Sequence, residues 1–451
     1  MVVSIIQKSQ LEGGLRLDAE YYQPEYFIDF SKGNWRPIGE LLEICQYGIS
    51  QSMNDEKIGY PIFKMDDIKD IFLFDDKVRY ADISKNIFNE FKLEKNDVLF
   101  NRVNSEEFVG RTGMFKLNTN AVFASYLIRL KLKNSSVVLP DYLNIFLNSS
   151  FGIKQIRKFR RRAVNQANVN AEELKQIKIA VLPTTFQKEI EKLSNKAWQN
   201  FKNSKSLYSQ AEDLLLEQLG LKDIEAKDDL SYIINLSDVK SAHRTDSEYF
   251  QPKYEKLISK IKNKNPKILS NFVKNYSTGF PFKSENYQEK GIPLIRINNI
   301  KKGYLDLSNT AYLSEKDYLL FPKDTAKPGD IILSMSGTIG MTAIIPDDIP
   351  KSSINQRILR ITLKNINKNY LVLLLNSVVG LYQLEQIGTG GVQTNISYKD
   401  IKNILIPILS KLTQQKIAEL VQKSHKARSK AKELLEETKQ KVEEVINKGD
   451  N

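Results

Sequence analysis

The stretch Arg16-Leu-Asp-Ala-Glu-Tyr-Tyr-Gln-Pro-Glu-Tyr26 occurs a second time in the chain, as Arg244-Thr-Asp-Ser-Glu-Tyr-Phe-Gln-Pro-Lys-Tyr254. Seven of the eleven positions are identical, and the second copy begins 228 residues after the first. Further pairs of motifs follow in the same order at offsets of 228 to 233 residues: Gly59–Ile62 with Gly291–Leu294, Asp97–Leu99 with Asp330–Ile332, and Asn148-Ser149 with Asn376-Ser377. A constant order with a drifting offset indicates a gene duplication followed by insertions and deletions in loops.

Each copy predicts the same order of structural elements. Short apolar runs punctuated by Gly, Pro and Asn favour a β-rich region, and a helix is expected at about 140–160 and at about 369–387. Asn170-Ala-Glu-Glu173 and Ser397-Tyr-Lys-Asp400 then each predict a capping box at the start of a helix. Finally, a long polar helix is expected from about Gln187 to Leu219 and from Gln414 to Asn447.

The two long helices carry a heptad pattern whose a and d positions are equivalent in the two copies. These positions are Ile190, Leu193, Ala197, Asn200, Ser204, Leu207, Ala211 and Leu214 on the first helix, and Ile417, Leu420, Ser424, Ala427, Ala431, Leu434, Thr438 and Lys441 on the second. Because the apolar seam is narrow, we expect it to hold only one helical partner, which the duplication supplies. Antiparallel pairing over roughly 50 Å would put a globular copy at each end, about one and a half turns of B-DNA apart.

Composition is compatible with a nucleic-acid partner without establishing it. The net charge of +13 and the pI of about 9.3 point towards polyanions, but a lysine-rich coding bias would give the same values. A single cysteine, Cys45, excludes an internal disulfide and a zinc site built on cysteines. Met1 to Lys8 lacks a sustained apolar run and the stretch Tyr370 to Tyr382 falls short of a membrane span, so we expect a cytoplasmic protein without a membrane partner.

The ordered, duplicated motifs resemble the specificity subunits of type I restriction-modification systems over essentially the whole chain. The resemblance is carried by Arg16–Pro24, by Ser336-Gly-Thr-Ile-Gly340 and by Gly388-Thr-Gly-Gly-Val-Gln-Thr-Asn395. It implies an α+β fold in which two pseudo-symmetric target recognition domains are separated by two long helices, paired as an antiparallel coiled coil. On this basis we expect recognition domains at 1–185 and 221–412, and spacer helices at 186–220 and 413–451. The partners implied are double-stranded DNA, two methyltransferase subunits and restriction subunits.

The first copy departs from the second in its loops. It has Gly110-Arg-Thr-Gly113 after an insertion around Asn104 to Val109, and it has Arg160-Arg-Arg-Ala-Val-Asn-Gln166 in place of the glycine loop. These differences favour two domains that recognise different half-sites of an asymmetric, bipartite DNA target.

Candidate DNA contacts are basic or amide side chains in or near these loops. Lys154, Arg157, Lys158, Arg160, Arg161 and Arg162 form a basic run with no acidic residue between Gly152 and Ala171. Such a run is typical of phosphate contact, although a solvated helix face would look the same. Further candidates are Arg102, Arg111, Arg129, Arg296, Thr338, Arg357, Gln393, Thr394 and Asn395. Arginine reads guanine or phosphate, and Asn or Gln reads adenine, but each arginine could equally be an ion-pair partner and Asn395 a structural cap.

Catalytic motifs are weak or missing in the sequence. Asp18 and Glu20, like Asp246 and Glu248, follow an arginine that lies two residues upstream of the aspartate. We therefore interpret each group as a structural ion pair or a docking surface and not as a catalytic site. The nuclease-like spacing of Asp82 and Glu90-Phe-Lys92 is unrepeated and expected by chance. The sequence contains neither an Asn-Pro-Pro-aromatic motif nor a phosphate-binding Gly-x-x-x-x-Gly-Lys loop. We therefore expect a non-catalytic subunit without a cofactor.

Three other functions stay open at this point. One is a specificity subunit of a related bipartite-site methylation system, and another is a coiled-coil scaffold that binds proteins. A fused restriction enzyme would need the nuclease and methyltransferase motifs that the sequence lacks.

Overall fold

The structure is a computed structural model, and it describes residues 5–8, 11, 16–163, 166–222, 224, 229–388 and 395–449. The chain divides into two compact units. Unit 1 combines Met1–Phe201 with Ser429–Asn451, and unit 2 is Lys202–Arg428. Each unit therefore contains one end of each long helix.

Unit 1 is a mixed α and β structure. Its helices are α1 (Ile38–Leu41), α2 (Lys85–Phe91), α3 (Pro140–Leu147), α4 (Ser150–Phe159) and α5 (Ala171–Lys175). Its strands are β1 (Trp35–Pro37), β2 (Leu42–Tyr47), β3 (Tyr60–Phe63), β4 (Ile68–Lys69), β5 (Phe72–Leu73), β6 (Arg79–Ala81), β7 (Val98–Asn101), β8 (Val103–Asn104), β9 (Thr112–Met114), β10 (Val122–Phe123), β11 (Leu127–Leu132), β12 (Arg161–Ala163), β13 (Gln166–Asn168) and β14 (Lys178–Ala180). The sheets have the orders β2-β11-β7-β9-β5-β4, β10-β3-β6, β12-β13-β8 and β1-β14.

Two long helices follow the globular parts of the chain. They are α6 (Thr184–Leu219) and, at the other end of unit 2, α13 (Lys411–Lys448). Between them, the helices are α7 (Leu236–Ala242), α8 (Pro252–Lys262), α9 (Glu315–Leu320), α10 (Lys368–Asn376), α11 (Val378–Ile387) and α12 (Tyr398–Ile401). The strands are β15 (Lys267–Ile268), β16 (Val273–Ser277), β17 (Ile292–Ile295), β18 (Ile300–Lys301), β19 (Tyr304–Leu305), β20 (Ala311–Leu313), β21 (Thr325–Ala326), β22 (Ile331–Ser334), β23 (Thr342–Ile344), β24 (Ser352–Ile354), β25 (Ile358–Leu363) and β26 (Leu405–Ile406).

Unit 2 repeats the central part of the sheet topology of unit 1. Its order β16-β25-β22-β23 corresponds to β2-β11-β7-β9, and β20-β17-β24 corresponds to β6-β3-β10. The parallel pair β3–β10 recurs as the parallel pair β17–β24. The α+β duplication predicted from the motifs is therefore confirmed at the level of strand pairing.

Each predicted helix before the loop region is broken into two by a serine. Ser149 separates α3 from α4, and its hydroxyl donates to Phe146 O at 2.7 Å. Ser377 does the same between α10 and α11, donating to Leu374 O at 2.7 Å. Because the serine side chain also caps the N-terminus of the second helix, the chain turns there instead of continuing as one helix. The predicted capping boxes are confirmed at the next helices, α5 and α12.

The long helices run antiparallel within each unit, as predicted. In unit 1, Lys441 Nζ near the end of α13 lies 2.7 Å from Glu189 Oε1 near the start of α6. In unit 2, the Ser424 hydroxyl of α13 donates to Ser204 O of α6 at 2.7 Å. Small buried side chains at such a contact allow the two backbones to approach closely.

The structure buries only some of the positions predicted for the heptad seam. Ile190, Ala197, Ser204 and Ala211 are buried, as are their equivalents on α13, whereas Leu193 and Leu214 are only partly buried. The neighbouring Phe201 and Leu215 are buried instead. The buried face is wider than a coiled-coil seam because each helix also packs on the globular part of its unit: the Trp198 ring centroid lies 5.1 Å from that of Phe72. The two long helices therefore pack together as predicted, but they do not form an isolated coiled coil.

No single helix in the described part of the chain is long and apolar enough to cross a membrane. One pair of helices, α10 and α11, reaches the required length and composition together, but the two are bent by 60°. The side chains of α10 lie in the core of unit 2, with Tyr370 and Leu373 fully buried.

Asp67 and Asn299 occupy equivalent positions in the two units. Asp67 Oδ2 accepts the Lys64 backbone N–H at 2.8 Å, and Asn299 Oδ1 accepts the Arg296 backbone N–H at 2.9 Å. Burial raises the pKa of Asp67 from 3.8 to about 6, against the lowering effect of the hydrogen bond. The folded protein therefore gains stability from protonation of Asp67 and loses it as the pH rises through 6.

We predict that Asp67→Asn stabilises the protein above pH 6. The amide keeps the hydrogen bond that Asn299 makes in unit 2 and removes a buried charge. The free energy of unfolding should rise by up to about 3 kcal/mol at pH 7.5, and this gain should shrink between pH 6 and pH 4. Urea unfolding of both proteins across this range measures the difference. A variant that is less stable at pH 7.5, or a difference independent of pH, would contradict the prediction.

Candidate nucleic-acid interface

Arg102 joins three backbone segments at one surface of unit 1. Its N–H donates to Tyr126 O at 3.0 Å, and its carbonyl accepts from Val169 N–H at 3.0 Å. The chain then enters β8, which pairs with β13, and β13 pairs with β12. We call this surface, formed by the turn 124–126, by Arg102 and by the β12–β13 segment, the loop face of unit 1.

Unit 2 has the same backbone arrangement with different side chains. Met335 N–H donates to Arg357 O at 2.8 Å, and Met335 O accepts from Ile396 N–H at 3.0 Å. A bridge between Ser336 and Asn395 stands where β8 pairs with β13 in unit 1. The loop face of unit 2 therefore consists of the turn 355–357, of residues 335–338 and of Asn395.

The predicted contacts Arg102 and Arg111 both lie at or beside the loop face of unit 1. Arg102 Nε donates to Ser125 O at 3.0 Å, and its guanidinium lies 4.9 Å above the centre of the Tyr47 ring. Arg111 is exposed, with its guanidinium 4.0 Å from the centre of the Phe108 ring. Aromatic contacts of this kind hold arginine side chains in a defined orientation.

The basic run is divided between a helix and a strand. Lys154 and Arg157 are exposed on α4, whereas Lys158 is half-buried with its ammonium 4.6 Å from the centre of the Tyr21 ring. Burial, reinforced by Lys178, lowers the pKa of Lys158. The lysine and arginine of α4 that face solvent are thus the ones most accessible to a polyanion.

The three arginines at the end of the run are paired with acids from other parts of the sequence. Glu106 lies 3.2 Å from Arg160 and 2.8 Å from Arg162. Glu173 lies 2.6 Å from Arg161. A segment without acidic residues in the sequence is therefore partly neutralised in space, which the sequence analysis missed. Glu106 lies in the insertion of the first copy and Glu173 in the capping box, so both could have been suspected.

Arg129 does not fit a role in DNA contact. Its Nε lies 2.7 Å from Asp97 Oδ2, and both side chains are less than 5% exposed. Unit 2 repeats this buried pair with Arg360 and Asp330, whose closest charged atoms are 3.6 Å apart. Arg129 therefore belongs to the buried frame that both units share, and its burial contradicts the predicted contact with DNA.

Arg296 is also engaged inside its unit. It follows β17, in a different sheet from the β22–β25 pair beneath the loop face, and it donates to Asn309 O at 2.9 Å. Its guanidinium lies 5.8 Å from the centre of the Tyr287 ring. These contacts hold the Arg296 side chain within unit 2 and away from the loop face.

The remaining candidates of unit 2 gather at its loop face. Thr338 is exposed in a turn between Gly337 and Gly340, whose φ angles of +68° and +84° favour glycine. Arg357 is exposed and Asn395 is half-buried. Gln393 and Thr394 lie outside the described residues, as does most of the glycine loop.

The duplicated Arg-x-Asp motif ties the N-terminal segment of each repeat to the base of its loop region. Arg16 Nε donates to Asp18 at 2.8 Å and Arg16 Nη1 donates to Phe159 O, at the end of α4, at 2.9 Å. Arg244 Nε likewise donates to Asp246 at 2.8 Å, and Arg244 Nη2 donates to Gly388 O, just after α11, at 3.2 Å. Hydrogen bonding to the arginine lowers the pKa of each aspartate. The predicted structural ion pair is confirmed in both copies.

Among the described residues, no group of three or more His, Cys, Asp and Glu side chains could hold a metal ion.

Comparisons with known proteins place the chain in one family. The family model described as "Type I restriction modification DNA specificity domain" matches residues 32–195 and 273–444. A putative type I restriction enzyme specificity subunit, MjaX, from Methanocaldococcus jannaschii is 26% identical over 444 residues, which are 95% of this chain and 97% of the relative. The EcoKI specificity subunit of Escherichia coli K12 is 27% identical over 172 residues, 38% of this chain and 36% of the relative.

A solved S subunit of a type I restriction-modification system from M. genitalium aligns with 94% of this chain and 98% of its own, at 15% identity and a TM-score of 0.41. The family model, in contrast, covers well over half of the chain and matches once in each repeat. The chain therefore belongs to the type I restriction-modification DNA specificity domain family, as a non-catalytic specificity subunit.

Proposed function

We propose that this chain recognises an asymmetric, bipartite DNA sequence, with the loop face of each unit contacting one half-site. The observation that carries the proposal is that one backbone frame holds different side chains in the two units. Arg102 in unit 1 corresponds to Met335 in unit 2, and Tyr126 corresponds to Arg357. Because equivalent positions carry different donors and acceptors, the two half-sites should differ in sequence.

We propose two sets of phosphate contacts in unit 1, one formed by exposed side chains of α4 and one by side chains that are paired with acids in the absence of DNA. Lys154 and Arg157 are exposed on α4 and are suited to phosphates, which confer affinity without sequence choice. Arg160, Arg161 and Arg162 would exchange their glutamate partners for phosphate oxygens on binding. These five residues, with three others, make up the full set of candidate DNA contacts in unit 1: Arg102, Arg111, Lys154, Arg157, Lys158, Arg160, Arg161 and Arg162.

The proposed contacts in unit 2 are fewer and less basic. They are Thr338, Arg357, Gln393, Thr394 and Asn395. Arginine and amide side chains at such a surface are suited to base edges in the major groove. We therefore expect unit 1 to contribute more of the salt-sensitive affinity than unit 2.

We propose the following role for each segment of the chain. Residues 1–185 and 221–412 are the target recognition domains, and 186–220 and 413–451 are spacer helices on which two methyltransferase subunits, and restriction subunits where present, dock. Methyl transfer and DNA cleavage then belong to those partners. Since the proposed ligand is genomic DNA, we also propose a cytoplasmic location.

We predict that Lys154→Gln/Arg157→Gln weakens DNA binding by the same factor on every sequence. If both side chains contact phosphates, the slope of log K against log salt should become less steep by about 2. Fluorescence anisotropy with specific and scrambled duplexes at several salt concentrations measures both effects.

The matched control is Lys85→Gln/Lys95→Gln, which removes the same charge from two exposed residues of unit 1 outside the basic run. It should leave the slope close to that of the unchanged chain. An equal loss of affinity in the control would mean that net charge, and not α4, attracts the DNA. Salt-insensitive binding by the unchanged chain would instead favour a protein-binding scaffold.

Mapping methylation across the genome tests the function as a whole. With methyltransferase partners expressed, cells that contain the gene should methylate one asymmetric motif with two specified parts separated by an unspecified spacer. Deletion of the gene should abolish methylation at that motif alone. An unchanged methylome after deletion would contradict the proposed function.

A further inference from the structure

The turn 124–126 of unit 1 and the turn 355–357 of unit 2 are equivalent residue by residue, at an offset of 231. Ser125 N–H donates to Ile49 O at 2.8 Å, and the equivalent Gln356 N–H donates to Phe280 O at 3.0 Å. The carbonyl of the last residue of each turn, Tyr126 or Arg357, accepts a hydrogen bond from a backbone N–H, that of Arg102 or Met335. The duplication has therefore kept the hydrogen bonds that hold this turn, although Arg357 has a positive φ and Tyr126 does not.

The last residue of each turn has an exposed side chain on a backbone that hydrogen bonds hold in place. Tyr126 is 47% exposed, and Arg357 is exposed as well. The next residues, Leu127 and Ile358, are fully buried at the start of β11 and β25. A side chain at this position is thus presented outwards from a rigid base, as base recognition requires.

Arg357 has a backbone conformation that arginine rarely adopts. Its φ of +68° lies in the left-handed region, where glycine is unstrained and a branched or long side chain is not. Such strain persists only where the surrounding structure enforces it, and it is concentrated at functional sites. Here the Met335 N–H holds the Arg357 carbonyl, while the buried Ile358 fixes the chain beyond it.

We propose that Tyr126 and Arg357 are one duplicated base-reading position, which makes the two half-sites differ at the corresponding base pair. This inference rests on the proposed function. Arg357 presents two parallel donors that match O6 and N7 of guanine in the major groove. Tyr126 presents a ring edge and a single hydroxyl, which suit the methyl group of thymine or one hydrogen bond but cannot form the bidentate contact with guanine. The half-site of unit 2 thus requires a G·C pair that the half-site of unit 1 does not.

Base contact and phosphate contact at Arg357 make different demands on the side chain. A phosphate contact depends chiefly on positive charge, and its loss weakens binding to every sequence by about the same factor. A contact with guanine also selects one base pair, and its loss relaxes specificity at that base pair. Arg357→Gly separates the two roles, because it removes the side chain and places at φ +68° the residue that suits this conformation best.

The test is the methylated motif produced by the full chain with its methyltransferase subunits in a host that lacks other DNA methylation. We expect Arg357→Gly to relax the requirement for one G·C pair in one half-site and to leave the other half-site unchanged. Tyr126→Ala should relax the requirement at the corresponding base pair in the opposite half-site. With purified complex, the preference for the original duplex over one with that G·C pair replaced should fall roughly 10-fold or more in Arg357→Gly.

Two results would overturn the assignment. One is an unchanged motif with Arg357→Gly, which would mean that the side chain reads no base. The other is an affinity that Arg357→Gly lowers equally for all sequences, which would mean a charge contact with phosphate. Failure of the proposed function is distinct from both, because the unchanged chain would then produce no bipartite methylated motif.

Discussion

The C-terminal helix completes the hydrophobic core of the N-terminal unit, and the rest of the structure depends on this closure. Val442 and Ile446 of α13 are buried in one core with Ile190 and Trp198 of α6. Unit 1 is not contiguous in sequence, because α6 leaves it after Phe201 and α13 returns to it at Ser429. A single copy of the repeat would leave the apolar face of its long helix uncovered. The duplicated helix covers this face within one chain.

The loop faces can diverge because the buried frame of each unit does not depend on them. Equivalent buried hydrogen bonds occur in the two units: the Tyr142 hydroxyl donates to Ala180 O at 2.7 Å, and the Tyr370 hydroxyl donates to Pro407 O at 2.8 Å. Such buried hydrogen bonds fix where each sheet meets its helices, since leaving one of these groups unpaired would be costly. The loops beyond this frame carry little of the core, so their side chains can change target sequence without loss of the fold.

The features that follow from local chemistry could be predicted from the sequence. The capping boxes at Asn170 and Ser397 depend on residues three positions apart, and the pairing of Arg16 with Asp18 on residues two apart. Features that depend on packing could not. The shift of the heptad face follows from Trp198 and Phe201, which pack on the sheet of unit 1, and no pattern within α6 specifies that sheet.

At the candidate interface too, the sequence predicts residue types but not the contacts that packing creates. Arg102, Arg111 and Arg357 were predicted from residue type, and the structure places them at or beside the loop faces. Arg129 looked identical in sequence, but its partner Asp97 becomes visible only when β7 and β11 pair. Glu106 is distant in sequence from the arginines it neutralises, so a charge count along the chain overstates the free positive charge of the basic run.

The central claim is that each unit reads its own half-site through an equivalent surface. Its most direct test is a chain in which residues 1–185 are replaced by residues 229–412, so that both long helices are kept and both loop faces come from the second copy. Expressed with the methyltransferase subunits, this chain should methylate a two-fold symmetric motif made of the unit 2 half-site and its inverted repeat. A folded chain that still methylates the original asymmetric motif, or a motif without that repeat, would contradict the claim.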